Sequence, residues 1–353
     1  MRAARYYGIE DVRIEDVDEP TPTADTVQIQ VSYNGICGTD LHEYFDGPRA
    51  TPLEPHPLTG VSVPVILGHE AAGIVSGVGA GVEGAKVGDL VVIEPMRTCG
   101  VCASCLAGDR NLCDVLAFHG LSTDGGGLAE VTVVPSSMVH RLPAGIDERQ
   151  AAVIEPLSIS HHAIGRSGAR PGEPVAIFGG GPIGIGILLG LRAIGVDDVL
   201  VVEPVSERRQ VAAGFGARVL DPMAHDPAAQ VREATAGRGV SIAFETAGAP
   251  TTFLAAVSST AKHGQVVLLT SGRSEVVAPL GQLMASEITL VTSFASNHEF
   301  GAVIALMAEG AYPLDGWVEE RPLHDLVDAF EDLRRGEAIK LLIDPRQTVE
   351  HAS

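Results

Sequence analysis

The chain has 353 residues, of which 24 are basic and 45 acidic, for a formal net charge of −21 at pH 7. A surface this acidic repels phosphate backbones at long range, which excludes nucleic acid as a main partner, and no basic amphipathic segment offers a hold on an anionic membrane. The length predicts about two domains at roughly 100–200 residues each.

The first stretch, "MRAARYYGIEDVRIEDVDEP", carries charge throughout and lacks the apolar core of a signal peptide, so a cytoplasmic location is expected. An alternating run, "VQIQV", then predicts a strand. It leads into "YNGICGTDLHEY", with Cys37, Thr39 and His42. After a Pro-rich stretch holding His56 comes "VPVILGHEAAGIV", with His69 and Glu70, and much later "VIEPLS", with Glu155. A cysteine, a histidine and carboxylates form a mixed set that can hold zinc through three protein ligands and leave a position for water or substrate. Scattered over a hundred residues, they also fit a buried structural cysteine and ion-paired glutamates.

Four of the five cysteines, Cys99, Cys102, Cys105 and Cys113, stand within "TCGVCASCLAGDRNLC". Their spacing, Cys-x2-Cys-x2-Cys-x7-Cys, points to metal rather than disulfides. Four thiolates close a tetrahedral zinc shell. An iron–sulfur cluster is the rival reading, but the last spacing is long for a ferredoxin run and no proline follows Cys113. A closed shell of four sulfurs leaves no place for substrate, so this metal is structural.

"PVAIFGGGPIGIGILLGL" is apolar and uncharged over nearly a membrane's length, yet its centre holds three glycines and a proline. It reads as a buried strand, a turn and a helix. Gly179, Gly181 and Gly184, with Pro182 and Ile183 between them, form G-x-G-x-x-G in the strand-to-helix context that gives that pattern meaning. Such a turn lets backbone approach a pyrophosphate, which then meets the helix N-terminus. The next strand, "VLVVEP", ends in Glu203, placed to accept hydrogen bonds from an adenosine ribose and to repel a 2′-phosphate, so NAD is expected over NADP. Arg208 either stacks on adenine or neutralises Glu207.

Apolar strands then recur as "ARVL", "SIAFET", "QVVLLT" and "ITLVTS", with helical stretches such as "TTFLAAVSSTAKHG" between several of them. This is the rhythm of a doubly wound parallel sheet of about six strands. The loops "TAGAP" at 246–250 and "TSGRS" at 270–274 either border the nicotinamide or are ordinary glycine turns. A helix, "LHDLVDAFEDLRRG", and a strand, "KLLID", close the chain. His161 and His162 are expected to begin the helix leading into the nucleotide domain and are assigned no role.

"CGTDLH", "GHEAAGIV", "VGDLVVI", the four-cysteine loop and the glycine turn, in this order and spacing, resemble the zinc-dependent medium-chain dehydrogenases over nearly the whole chain. The resemblance implies an α/β fold with a GroES-like β-rich catalytic domain at 1–154, a Rossmann domain at 155–293 and a return to the first domain at 294–353. It implies that Cys37, His69 and Glu155 hold a catalytic zinc, with Glu70 either a direct ligand, as in the polyol branch, or a carboxylate behind the ligands. It also implies that Thr39 and His42 relay the proton of a secondary alcohol oxidised by NAD. "CGTDLHEY" and "PHPLTG" followed by an apolar run resemble the 2,3-butanediol (acetoin reductase) branch, with sorbitol-like polyols and threonine as runners-up. Family members are usually dimers or tetramers, so a homo-oligomer is expected. A relic that only binds nucleotide is the non-enzymatic alternative.

Overall fold

The computed structural model describes residues 1–269 and 275–347, so the "TSGRS" loop lies outside the described residues. Two units divide the chain. One comprises Met1–Glu155, Phe300–Ala308 and the segment from Val318 onward; the other comprises Pro156–Glu299 and Glu309–Trp317.

The first unit is built on the strand Thr26–Gly35, whose inward residues Val27, Ile29 and Val31 alternate with more exposed ones, as a half-buried strand requires. Its sheet runs Val139–Arg141, Leu90–Ile93, Glu70–Val78, Thr26–Gly35, Lys340–Asp344, Val318–Pro322, and Val131–Pro135 also pairs with Thr26–Gly35. The register sets Gly35 opposite both Glu70 and Leu342. The closing helix starts as a tight turn at Leu323–Asp325 and continues as Leu326–Arg335. Its Leu326, Ala329 and Phe330, spaced three and four apart, share a core with Tyr6, Tyr44, Leu128, Leu341 and Ile343. Burying a side chain such as Phe330 contributes about 1.5–3 kcal/mol, which anchors the C-terminal segment to this unit.

The second unit holds six parallel strands. Across the sheet they run Arg218–Leu220, Val199–Val202, Val175–Phe178, Val240–Glu245, Thr260–Leu268, Thr289–Thr292. Val175–Phe178 and Val199–Val202 are buried throughout, the mark of strands covered on both faces. The apolar 174–191 run resolves into the strand Val175–Phe178, a glycine turn and the helix Pro182–Ala193. No helix among the described residues is long and apolar enough to cross a membrane.

Two local expectations are corrected. The helix expected over "TTFLAAVSSTAKHG" stops at Ser259, and Thr260 already opens a strand. The hydroxyls of Ser259 and Thr260 donate back to the carbonyls of Ala255 and Ala256 at 2.7 and 2.8 Å, which weakens and bends a helix at this end, and Thr260 pairs with Val240 in the sheet. His161 and His162 lie inside the helix Ile154–Ser167 rather than at its start, because helical structure begins before Glu155.

Candidate active site and metal centres

Cys37 is the N-cap of the helix Gly38–Asp46, and its amide donates to the Asp40 carboxylate at 2.9 Å. His69 is buried at the mouth of the strand Glu70–Val78, its Nδ1 facing Asp40 Oδ1 at 3.5 Å. Donor atoms of Cys37, His69 and Glu70 all lie within 4.8 Å of one another. Glu155, in the first turn of Ile154–Ser167, is outside that tight group but close enough to feel the charge of Glu70 and His69. Its Oε2 is buried without a hydrogen-bond partner among the described residues.

The electrostatics are those of a pocket short of a cation. Burial, with Glu70 second, pushes the Glu155 carboxyl up to about 8, and the positive groups His69 and Lys340 offset only part of this. Burial lowers the pKa of His69, but Asp40 and Cys37 outweigh it, and the imidazole lies well above its ordinary value. Clustered acidic donors with a buried, unpartnered Glu155 Oε2 suit a divalent cation. The residues present fit zinc.

Sequence reasoning missed two groups here. Asp40 follows Cys37 by three residues, and that spacing within "CGTD" was its only signal. Lys340 opens the apolar strand "KLLID" and is 1% exposed. Its ammonium donates to the Ile36 carbonyl at 2.9 Å and forms an ion pair with Glu70 Oε2. The pairing depends on Gly35: a Cβ there would sit 2.0 Å from Glu70 Oε2 and 2.8 Å from Lys340 Cε.

On the same helix as Cys37, Thr39 places its hydroxyl 3.7 Å from the Cys37 sulfur. His42, one turn on, is half exposed and pairs with Asp46 at 3.0 Å. His56 is removed from such company and shapes its own turn, Nδ1 accepting the Leu58 amide at 3.2 Å. His162 meets Glu299 at 2.7 Å, while the Nδ1 of His161 is buried.

The sulfurs of Cys99, Cys102, Cys105 and Cys113 also converge within 4.8 Å, and all are free of disulfides. The amides of Cys99 and Cys102 donate to the sulfurs of Cys113 and Cys99, each at 3.3 Å. Backbone N–H groups aimed at sulfur favour thiolates, and backbone hydrogen bonds bring Cys102 down to about 6, while burial and the neighbouring Cys102 push Cys105 up to about 11. This site, too, fits zinc. Beneath the loop, buried Glu94 takes Arg110 at 3.2 Å and His140 at 2.7 Å, and His140 stacks on Phe300.

In the other unit, Gly181 caps the helix Pro182–Ala193, with Pro182 at its first position and Ile183 following. Gly184 admits no side chain, since a Cβ would lie 2.0 Å from the Gly179 carbonyl oxygen. Glu203 is buried, and its carboxylate accepts Gly180 N at 2.6 Å and Val205 N at 2.9 Å. Each oxygen retains a lone pair for a further donor. Arg209 bonds the Glu203 and Pro204 carbonyls at 2.8 and 2.7 Å.

Comparison with known proteins follows the same division. Residues 23–144 match the alcohol dehydrogenase GroES-like domain and residues 182–309 the zinc-binding dehydrogenase family. The chain is 37% identical to (R,R)-butanediol dehydrogenase of Bacillus subtilis, over 98% of this chain and all of that one. It is 30% identical to sorbitol dehydrogenase of the same organism, over 98% of both. The X-ray structure of 2R,3R-butanediol dehydrogenase from Bacillus subtilis superimposes with a TM-score of 0.92 at 36% identity, covering 98% of this chain and 99% of that one.

Proposed function

The chain belongs to the zinc-binding alcohol dehydrogenase family, whose members are oxidoreductases using zinc and a nucleotide cofactor on small alcohols, and within that class we propose that it interconverts a small vicinal diol and its hydroxyketone, 2,3-butanediol and acetoin, with NAD. The observation that carries the chemistry is the buried convergence of Cys37, His69 and Glu70 beside Glu155. The choice of diol rests on the likeness to butanediol dehydrogenases over the full length of the chain; the sorbitol dehydrogenase likeness keeps longer polyols as the second reading.

When bound, zinc supplies the Lewis acidity that makes an alcohol hydroxyl acidic, and the nicotinamide supplies the hydride acceptor. Cys37, His69 and Glu155 are assigned as the ligands. Glu70 already spends its charge on Lys340, which supports placing it behind the ligands. Asp40 aims the His69 ring. Oxidation of the alcohol releases one proton besides the hydride. Thr39, whose hydroxyl lies 3.7 Å from the Cys37 sulfur, is assigned to receive it, and His42, a turn away and open to solvent, to pass it on. Glu203 would bring its carboxylate against a 2′-phosphate, which supports NAD over NADP. Arg208 is assigned to the adenine side. A homo-oligomer is supported by the strand Thr289–Thr292, which ends the six-stranded sheet with most of its residues exposed. A cytoplasmic location fits a nicotinamide-linked enzyme.

The test compares 2,3-butanediol stereoisomers, sorbitol, threonine and ethanol at matched concentration with NAD, following NADH. We expect the highest kcat/KM on one butanediol. A higher value for sorbitol or threonine than for every butanediol isomer rejects the substrate assignment, and cofactor binding without turnover on any alcohol marks a relic.

A further inference from the structure

The six-stranded sheet reverses its chain order between the strands Val175–Phe178 and Val240–Glu245, and a dinucleotide lies across the carboxyl ends of the strands at such a point. Glu245 is the last residue of its strand and pairs in register with Phe178, the last before the glycine turn. It is 3% exposed. Its side chain folds back on the loop that follows. Oε1 accepts Ala247 N at 3.0 Å, Gly248 N at 2.9 Å and the Thr252 hydroxyl at 2.7 Å, while Oε2 accepts Gly248 N at 3.2 Å.

Thr246 fixes the same loop from its other side. Its amide and hydroxyl donate to the Phe178 carbonyl at 3.0 and 2.9 Å, and the hydroxyl also reaches the Gly179 carbonyl at 3.3 Å. Residues 246–250 are therefore suspended between a buried carboxylate and the glycine turn itself. Glu203 does the equivalent work on the opposite side of Val175–Phe178, where its carboxylate holds Gly180. Each half of the crevice has one buried carboxylate that shapes a backbone turn.

We propose that Glu245 is a positioning residue for the nicotinamide half of the dinucleotide, holding residues 246–250 in the shape against which that half is seated. This rests on the nicotinamide-linked reading above. Preforming the loop removes an ordering cost that binding would otherwise meet. The adenosine half, on the Glu203 side, does not draw on this loop. Glu245→Gln keeps the size but replaces one acceptor oxygen by an N–H2 that faces backbone donors, so the loop loses its hub.

Calorimetric titration of NADH and of AMP into the full-length wild type, Glu245→Gln and Thr252→Val tests it. Glu245→Gln should weaken NADH roughly tenfold and leave AMP within about twofold. Thr252→Val, which removes one hydroxyl and no charge, should act in the same sense but more weakly, and it carries the test if Glu245→Gln does not fold. Equal losses for both ligands, or no loss for either, overturn the proposal. A wild type that binds AMP but gains nothing from the nicotinamide half, or binds neither, overturns the nicotinamide reading itself, and the role of Glu245 falls with it.

Discussion

A lysine and a glutamate that each leave 1% of their side chains in contact with solvent make Lys340–Glu70 a pair that tolerates no single loss. Lys340→Met strands the Glu70 carboxylate beside Glu155, where burial already works against charge. The expected cost is about 3–5 kcal/mol, and the double variant Lys340→Met/Glu70→Leu should recover most of it. Urea unfolding of the metal-free variants gives both numbers; equal stability of the single and double variants rejects the pairing argument. His119 sets a different kind of dependence. Its ring lies between Thr132 at 2.8 Å and Thr123 at 3.2 Å, and burial, the dominant cause, lowers its pKa from 6.5 to about 4. A depressed pKa stabilises the fold above the unfolded value and withdraws that stability as pH falls from 6.5 to about 4. The shift corresponds to about 3 kcal/mol. His119→Gln, which cannot titrate, should show a correspondingly smaller fall in unfolding free energy over this window, and parallel pH profiles for the two proteins would contradict it.

At the scale of elements, the two candidate metal centres separate by what their loss does. Cys99→Ser opens the four-cysteine loop and should lower thermal stability and zinc content, whereas Cys37→Ser should abolish turnover with the circular dichroism spectrum unchanged. The loop is further tied down by Glu94, which is 4% exposed and joins Arg110, inside the loop, to His140 on the sheet. Glu94→Ala should cost about 1–3 kcal/mol and speed the release of one zinc per chain to a chelator; an unchanged release rate would show that the loop holds its metal without this anchor. The four-cysteine spacing and the glycine turn were legible in the sequence because both are local: their geometry is written within a few residues. Lys340 was not, since 270 residues separate it from Glu70 and only strand register brings them together. Asp40 was passed over because a buried acid beside a ligand looks like any helix-starting aspartate. The end of the helix Pro250–Ser259 is not legible because no glycine or proline marks it, and Thr260 leaves the helix to pair with Val240, a partner twenty residues away.

The whole molecule must reconcile a net charge of −21 with an open sheet edge. Two copies this acidic repel each other unless they meet on a face without charge. The stretch "ITLVTSF", residues 288–294, has no charged residue and contains the terminal strand Thr289–Thr292. Leu290 and Phe294 there remain 39% and 55% exposed. Exposed apolar side chains on this terminal strand, whose Thr292 carbonyl accepts the Arg166 guanidinium at 2.6 Å, make cover by a second copy the favourable outcome. Leu290→Lys adds a cation to each copy at that edge, and two like charges brought together there oppose association. Because Leu290 is already partly exposed, the fold of the single chain should survive the change. Light scattering coupled to size-exclusion chromatography should therefore report an oligomer for the wild type and a smaller species for Leu290→Lys, with NADH binding retained. An unchanged mass for the variant would move the interface elsewhere, and a monomeric wild type would remove the need for one.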